Sequence, residues 1–184
     1  MPSDAPPTIQ PVLRPVTADD LPMLAQWLVR DHVRQWWGDV ETQIGRIRAK
    51  LDGRDSTRPF IFELGGVPTG YIQYSFFDDH KTPDQLAETP WLDMLPEGAV
   101  GIDLFIAEAG SLSKGIGSVA VRTMAEMLWR KGHRSILIDP DLKNARAVRA
   151  YEKAGFRPID ALSGRTGDYL IMRYDPENID RRRR

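Results

Sequence analysis

Three places in this sequence carry residue types that can do chemistry. In the turn Ser113-Lys114-Gly115-Ile116-Gly117, which opens a run of helical periodicity, backbone N–H groups and the positive end of a helix could meet an anion such as a phosphate. An ordinary glycine-rich turn between strand and helix reads the same way. Further along, Tyr151 sits in a second helical run, where its phenol is either a proton donor to a leaving group or a core aromatic. The third place is Asp103, in Gly101-Ile102-Asp103-Leu104. A carboxylate entering an apolar strand is costly to bury unless it serves a cation, the alternative being a strand-edge aspartate paired with an arginine.

The elements that must position these groups follow from periodicity. Residues 9–16 read as a strand, and Thr17 with Asp20 forms a helix-start signature for a helix to residue 29, with Leu21, Leu24, Trp27 and Leu28 on one face. A second helix spans 40–51 and stops at Asp52-Gly53. Between them stand Trp36 and Trp37. Two adjacent tryptophans cannot both face a helix core, so either one of them lines a cleft or both pack beneath a loop. Residues 59–64 and 67–77 form a hairpin through Gly65-Gly66, and 99–107 form the strand that bears Asp103. A helix over 118–131, a short strand over 135–138 and a helix over 144–154 capped by Gly155 come next, then strands over 156–160 and 168–174. This order predicts an α/β protein with one domain over 9–176, in which a mixed, mostly antiparallel sheet has helices on both faces. Residues 1–8 and the basic tail 177–184 are expected to be unstructured.

Composition removes several classes of function. The 184 residues carry a net charge of −1, which argues against a nucleic-acid surface, and there is no apolar run long enough to span a membrane. The start of the chain is proline-rich and acidic, unlike a secretory signal, so a cytoplasmic location is expected. Without cysteine there is no thiolate nucleophile, and the three histidines lack metal-ligand spacing, so no metal is expected. Charge is concentrated in one place: from Asp78 to Asp103 seven acids, among them Asp79 and Asp93, face a single base, Lys81. Such an island is either a solvated loop or a docking surface for a cationic substrate.

The helix Asn144-Ala145-Arg146-Ala147-Val148-Arg149-Ala150-Tyr151-Glu152-Lys153-Ala154-Gly155-Phe156, one strand and one helix after the glycine turn, resembles the acetyl-CoA-dependent GCN5-related N-acetyltransferases (GNAT). With Val33-Arg34-Gln35-Trp36-Trp37-Gly38, Gly70-Tyr71-Ile72-Gln73, Gly101-Ile102-Asp103 and Ile138-Asp139-Pro140, the chain is similar to the aminoglycoside 6′-N-acetyltransferases. The resemblance implies a direct acetyl transfer in a ternary complex, with Asp103 as base or anchor for the amine, Tyr151 as the acid toward the coenzyme sulfur, and Asp139 holding another amine. It implies a coenzyme site made from Leu104, Phe105, Ile106, Leu112, Lys114, Gly115, Ile116, Gly117, Ser118, Asn144 and Ala147, with Leu112 standing where relatives usually carry Gln or Arg. For the cationic acceptor it implies Asp139, and the acidic island and nearby aromatic residues add Trp36, Trp37, Tyr74, Asp78, Asp79, Trp91 and Asp93 as candidates, although the loop between Phe77 and Gly98 departs from the family pattern. The expected molecule is a monomer or homodimer without nucleic-acid or membrane partners. A siderophore-type N-hydroxylysine acyltransferase and a non-catalytic acetyl-CoA-binding module are the other readings of the pattern.

Overall fold

A computed structural model describes residues 10–177. The expected unstructured ends therefore lie outside the described residues, Glu177 excepted. In chain order the elements are β1 (Val12–Pro15), α1 (Leu21–Leu28), α2 (Asp31–Trp37), α3 (Val40–Leu51), β2 (Arg58–Leu64), β3 (Val67–Phe76), α4 (Pro83–Glu88), β4 (Val100–Ile106), α5 (Ile116–Arg130), β5 (Ile136–Ile138), α6 (Ala145–Ala154), β6 (Phe156–Pro158) and β7 (Met172–Tyr174). The strands form one seven-stranded sheet in the order β1-β2-β3-β4-β5-β7-β6, antiparallel throughout except for β4 and β5.

Side-chain alternation splits the strands between two cores. Phe62, Ile72, Tyr74 and Ile102 pack under α5 and α6 with Val121, Met124, Leu128 and Phe156. Ile61, Tyr71 and Phe105 face the other way, onto Leu24, Trp27, Leu28 and Ile47 from α1 and α3. Gln73 and Asp103, directly paired across β3 and β4, share this second face. The two strands approach closely at Gly70, where any Cβ would run into the Phe105 carbonyl and the Phe62 ring.

The feature that creates a cleft is the register of the one parallel pair. β5 pairs with β4 only at Val100 and Gly101, so the strands part and the sheet forks. The N–H of Val100 points to the β5 side, bonding the Ser135 carbonyl at 2.9 Å. By alternation Leu104 and Ile106 direct their backbone groups to that side too, beyond the last β5 partner. An open strand edge inside a sheet is a place for another chain of amides to bind.

Several elements differ from the sequence expectation: the acidic stretch contains α4, and the last strand, expected over 168–174, is confined to Met172–Tyr174. Residues 31–37 close into α2, ended by Gly38 at φ 81°. α5 starts two residues earlier than expected, since Gly115 takes a left-handed φ of 82° and becomes its N-cap. The predicted start of the first helix is present: Asp20 accepts the Thr17 N–H at 2.8 Å and receives the Arg14 guanidinium through two bonds of 2.8 Å. That bidentate contact holds the Asp20 carboxyl below its ordinary value. A carboxyl depressed on folding stabilises above its unfolded pKa and loses that contribution as pH falls through the folded one. Asp20→Asn is therefore expected to cost about 1–3 kcal/mol at pH 7, with the gap to wild type closing in acid; urea unfolding at a series of pH values checks it.

Candidate active site

At the fork a cleft of about 810 Å³ opens between α2 and α3 on one side and α5 and α6 on the other. Its chemistry begins with the coenzyme half. Ser113 at φ 62° and Gly115 at φ 82° bend the chain so that Lys114 is flanked by two left-handed residues. No side chain caps the start of α5, which leaves the leading N–H groups of a fifteen-residue helix facing the cleft beside Gly117 and Ser118. Clustered N–H groups with a positive helix end suit a pyrophosphate. Leu112 also lines the cleft, as do Leu104, Phe105 and Ile106 from the open edge of β4. Across from them, Asn144 caps α6 by accepting the Ala147 N–H at 3.1 Å. Gly155, at φ 104°, ends that helix as expected. Asn144, Ala147 and Tyr151, spaced along one face of α6, all line the cleft.

Lys114 and Ile116 stand apart from that group. Lys114 is solvent-exposed and does not line the cleft, because the turn aims it outward; the Ile116 side chain packs on the core beneath α5, so only its backbone belongs to the helix start.

At the acceptor half, Asp103 and Asp139 both reach the cleft, Asp139 because Ile138 before it turns into the core. Desolvation raises the Asp103 carboxyl, opposed first by a hydrogen bond from Gln73 and then by the charges of Lys50 and His80. Desolvation and the Asp103 charge push Asp139 up to about 8. A buried carboxyl held up by a neighbouring carboxylate gains from taking a proton or a cation. Burial, then the charges of Asp103 and Asp139, drive the Tyr151 phenol above its ordinary value, so it is a protonated donor at neutral pH. Trp36 and Trp37 both line the cleft. Trp37 is fixed edge-on against Phe105 at 5.1 Å and Tyr71 at 5.6 Å, whereas Trp36 is 41% exposed.

Apart from Asp103 at its end, the acidic island does not line the cleft, which corrects the expectation for Asp78, Asp79, Trp91 and Asp93. Its charges are used to fold the loop. Asp78 accepts the Gly98 N–H at 2.7 Å and pairs with Lys81 at 3.0 Å, and Asp79 accepts from Ser56. Trp91 lies edge-on to Phe77 over a third apolar cluster at the closed end of the fork, and Asp93 faces solvent. Tyr74 is likewise corrected: one residue from Gln73, it falls on the opposite face of the sheet and stacks with Phe60 in the core.

Several lining residues escaped the sequence reading. Gln43, Arg46 and Lys50 form one stripe of α3 at helical spacing, and Arg146, Arg149 and Lys153 give α6 a basic edge. His32 lies 3.0 Å from the Ile106 carbonyl through Nε2, which must carry the proton in that contact. The stripe on α3 was visible as periodicity. Nothing local to the helix shows that its polar side covers a cleft.

Comparisons with known proteins agree with this geometry. Residues 16–163 match the family described as the acetyltransferase (GNAT) domain. An aminoglycoside N(6′)-acetyltransferase type 1 from Serratia marcescens is 32% identical over 94% of this chain and 86% of its own length. Two solved structures of the acetyltransferase AAC(6′)-Ib, each 31% identical over 95% of this chain, superpose closely: a complex with paromomycin and acetyl-CoA, covered to 98%, at a TM-score of 0.78, and one with coenzyme A and kanamycin, covered to 99%, at 0.77.

Proposed function

The chain belongs to the aminoglycoside 6′-N-acetyltransferases of the GNAT family, and on that premise we propose that it moves the acetyl group of acetyl-CoA directly to the 6′-amine of aminoglycoside antibiotics and so confers resistance to them. The observation that carries this reading is the convergence of Asp103 and Asp139 in one cleft with Tyr151. A pair of carboxyls raised by burial, one of them also by the charge of the other, gains most from a ligand with several ammonium groups.

The residues present fit acetyl-CoA. The uncapped start of α5 suits its pyrophosphate, the open edge of β4 offers backbone partners to the amides of its arm, and the basic edge of α6 borders the same cleft. The thioester supplies an acyl group already activated for attack by an amine. Asp103 accepts the proton that the amine must lose, since an alkyl ammonium with a pKa of about 10 is no nucleophile. Tyr151 donates a hydrogen bond to the departing sulfur. Asp139 anchors a second ammonium, and Trp36 and Trp37 wall the acceptor end. No covalent intermediate on the protein is required, in keeping with a chain that lacks cysteine. The protein acts in the cytoplasm, as a monomer or homodimer.

Nuclear magnetic resonance of the product tests the regiochemistry: acetylated kanamycin should carry its new amide at the 6′ nitrogen, and acetylation elsewhere would overturn it. Asp139→Asn is expected to raise KM for the drug about ten- to a hundredfold, the loss of one charge-assisted hydrogen bond, with acetyl-CoA affinity unchanged by calorimetry.

A further inference from the structure

Lys50 is a cation bonded into the same group of side chains as the carboxylate of Asp103. It lines the cleft from α3 and donates from Nζ to Gln73 Oε1 at 2.6 Å. Tyr71 Oη donates to the same oxygen at 2.7 Å. Gln73, only 9% exposed, then turns its Nε2 to Asp103 Oδ2 at 3.0 Å. The direction of this chain is not arbitrary. An ammonium has donors only, so a flipped Gln73 would set its NH₂ against Lys50 and its oxygen against the Asp103 carboxylate. Lys50 and Tyr71 together orient the amide, and the amide orients the acid.

We propose that Lys50 is a positioning residue that acts through Gln73 to keep Asp103 ionised and correctly aimed in the substrate-free enzyme, standing in for the substrate ammonium until one arrives. The inference rests on the assignment of Asp103 as the base. Burial works against the charge on both partners, raising Asp103 and lowering Lys50. Each sustains the other: the Lys50 charge lowers Asp103 and the Asp103 charge raises Lys50. The remaining charges around them are divided. His80 also favours the ionised acid, while Asp139, from the end of β5, is coupled unfavourably to Asp103. Arg46 on α3 opposes the Lys50 charge and Asp55 supports it. From α6, Tyr151 feels the Asp103 charge, with Arg146 close by. When a substrate ammonium reaches Asp103, it provides the same compensation directly, so the influence of Lys50 is greatest before binding.

The pH dependence of kcat/KM, which reports groups of the free enzyme, tests this with kanamycin as acceptor. Removing a nearby cation raises a carboxyl's pKa, so Lys50→Met should move the acidic limb of kcat/KM to higher pH by about one pH unit. Lys50→Arg, which keeps the charge, should restore the wild-type limb. The limb of kcat, which reports the complex with its own ammonium in place, should move less. Gln73→Met should shift the kcat/KM limb in the same direction, and the double variant should shift it no further than the larger single change, because both act through one chain of bonds. Thermal melting identifies any variant that fails to fold, and the other then carries the test. An acidic limb unmoved in Lys50→Met and Gln73→Met, with rates merely lower, would overturn the inference and leave Asp103 as base. A limb that survives unchanged in Asp103→Asn would overturn the base assignment and the inference with it.

Discussion

Asp103→Asn is expected to lower kcat/KM for an aminoglycoside by roughly a hundred- to ten-thousand-fold, the range for a lost general base. The substitution preserves volume, and the new amide oxygen can still accept from Gln73 Nε2, which lies 3.0 Å from the carboxylate it replaces. What it cannot do is take a proton. It also removes a charge that burial disfavours, so the fold should be no less stable, and a lower melting temperature is not the expected route to lost activity. Steady-state kinetics with acetyl-CoA held saturating separates the two. Turnover within a few-fold of wild type would remove Asp103 from the role of base.

Tyr151→Phe is expected to lower kcat by roughly ten- to a thousandfold, with acetyl-CoA affinity nearly unchanged. The phenol is held above its ordinary pKa, chiefly by burial, and a coenzyme thiol ionises near the range of a cysteine, about 8.5. Full proton transfer from phenol to thiolate is therefore uphill, and the gain comes from a hydrogen bond aimed at charge as it develops on sulfur. Phenylalanine keeps the packing of α6 against the core, to which Tyr151 also contributes, and deletes only the donor. A variant that turns over normally would reduce Tyr151 to a core aromatic.

The parts of the site that were legible in the sequence are those set by local rules. Asn144 and Gly155 bracket α6 because one side chain caps its start and a left-handed glycine ends it, and α3 runs Val40–Leu51 between Asp39 and Asp52, as its periodicity predicts. What local pattern could not carry was the fork. It depends on a two-residue register between β4 and β5, which lie a full helix apart in sequence, and the fork decides which polar side chains share a cleft. For the same reason Lys50 reads as one more cation on a basic helix, and its meaning comes from Gln73 on another element. The acidic island misled because net charge says nothing about partners. Asp78 and Asp79 are spent on Gly98, Lys81 and Ser56, so the acidity that matters is two carboxyls, Asp103 and Asp139, at the mouth of the fork.

The most direct measurement is release of free thiol from acetyl-CoA by the purified protein, with kanamycin, tobramycin, an N-hydroxylysine derivative and a short peptide as separate acceptors. The account predicts rapid release with the two aminoglycosides and background rates with the others. Release with the lysine derivative alone, or tight coenzyme binding without release for any acceptor, would contradict it.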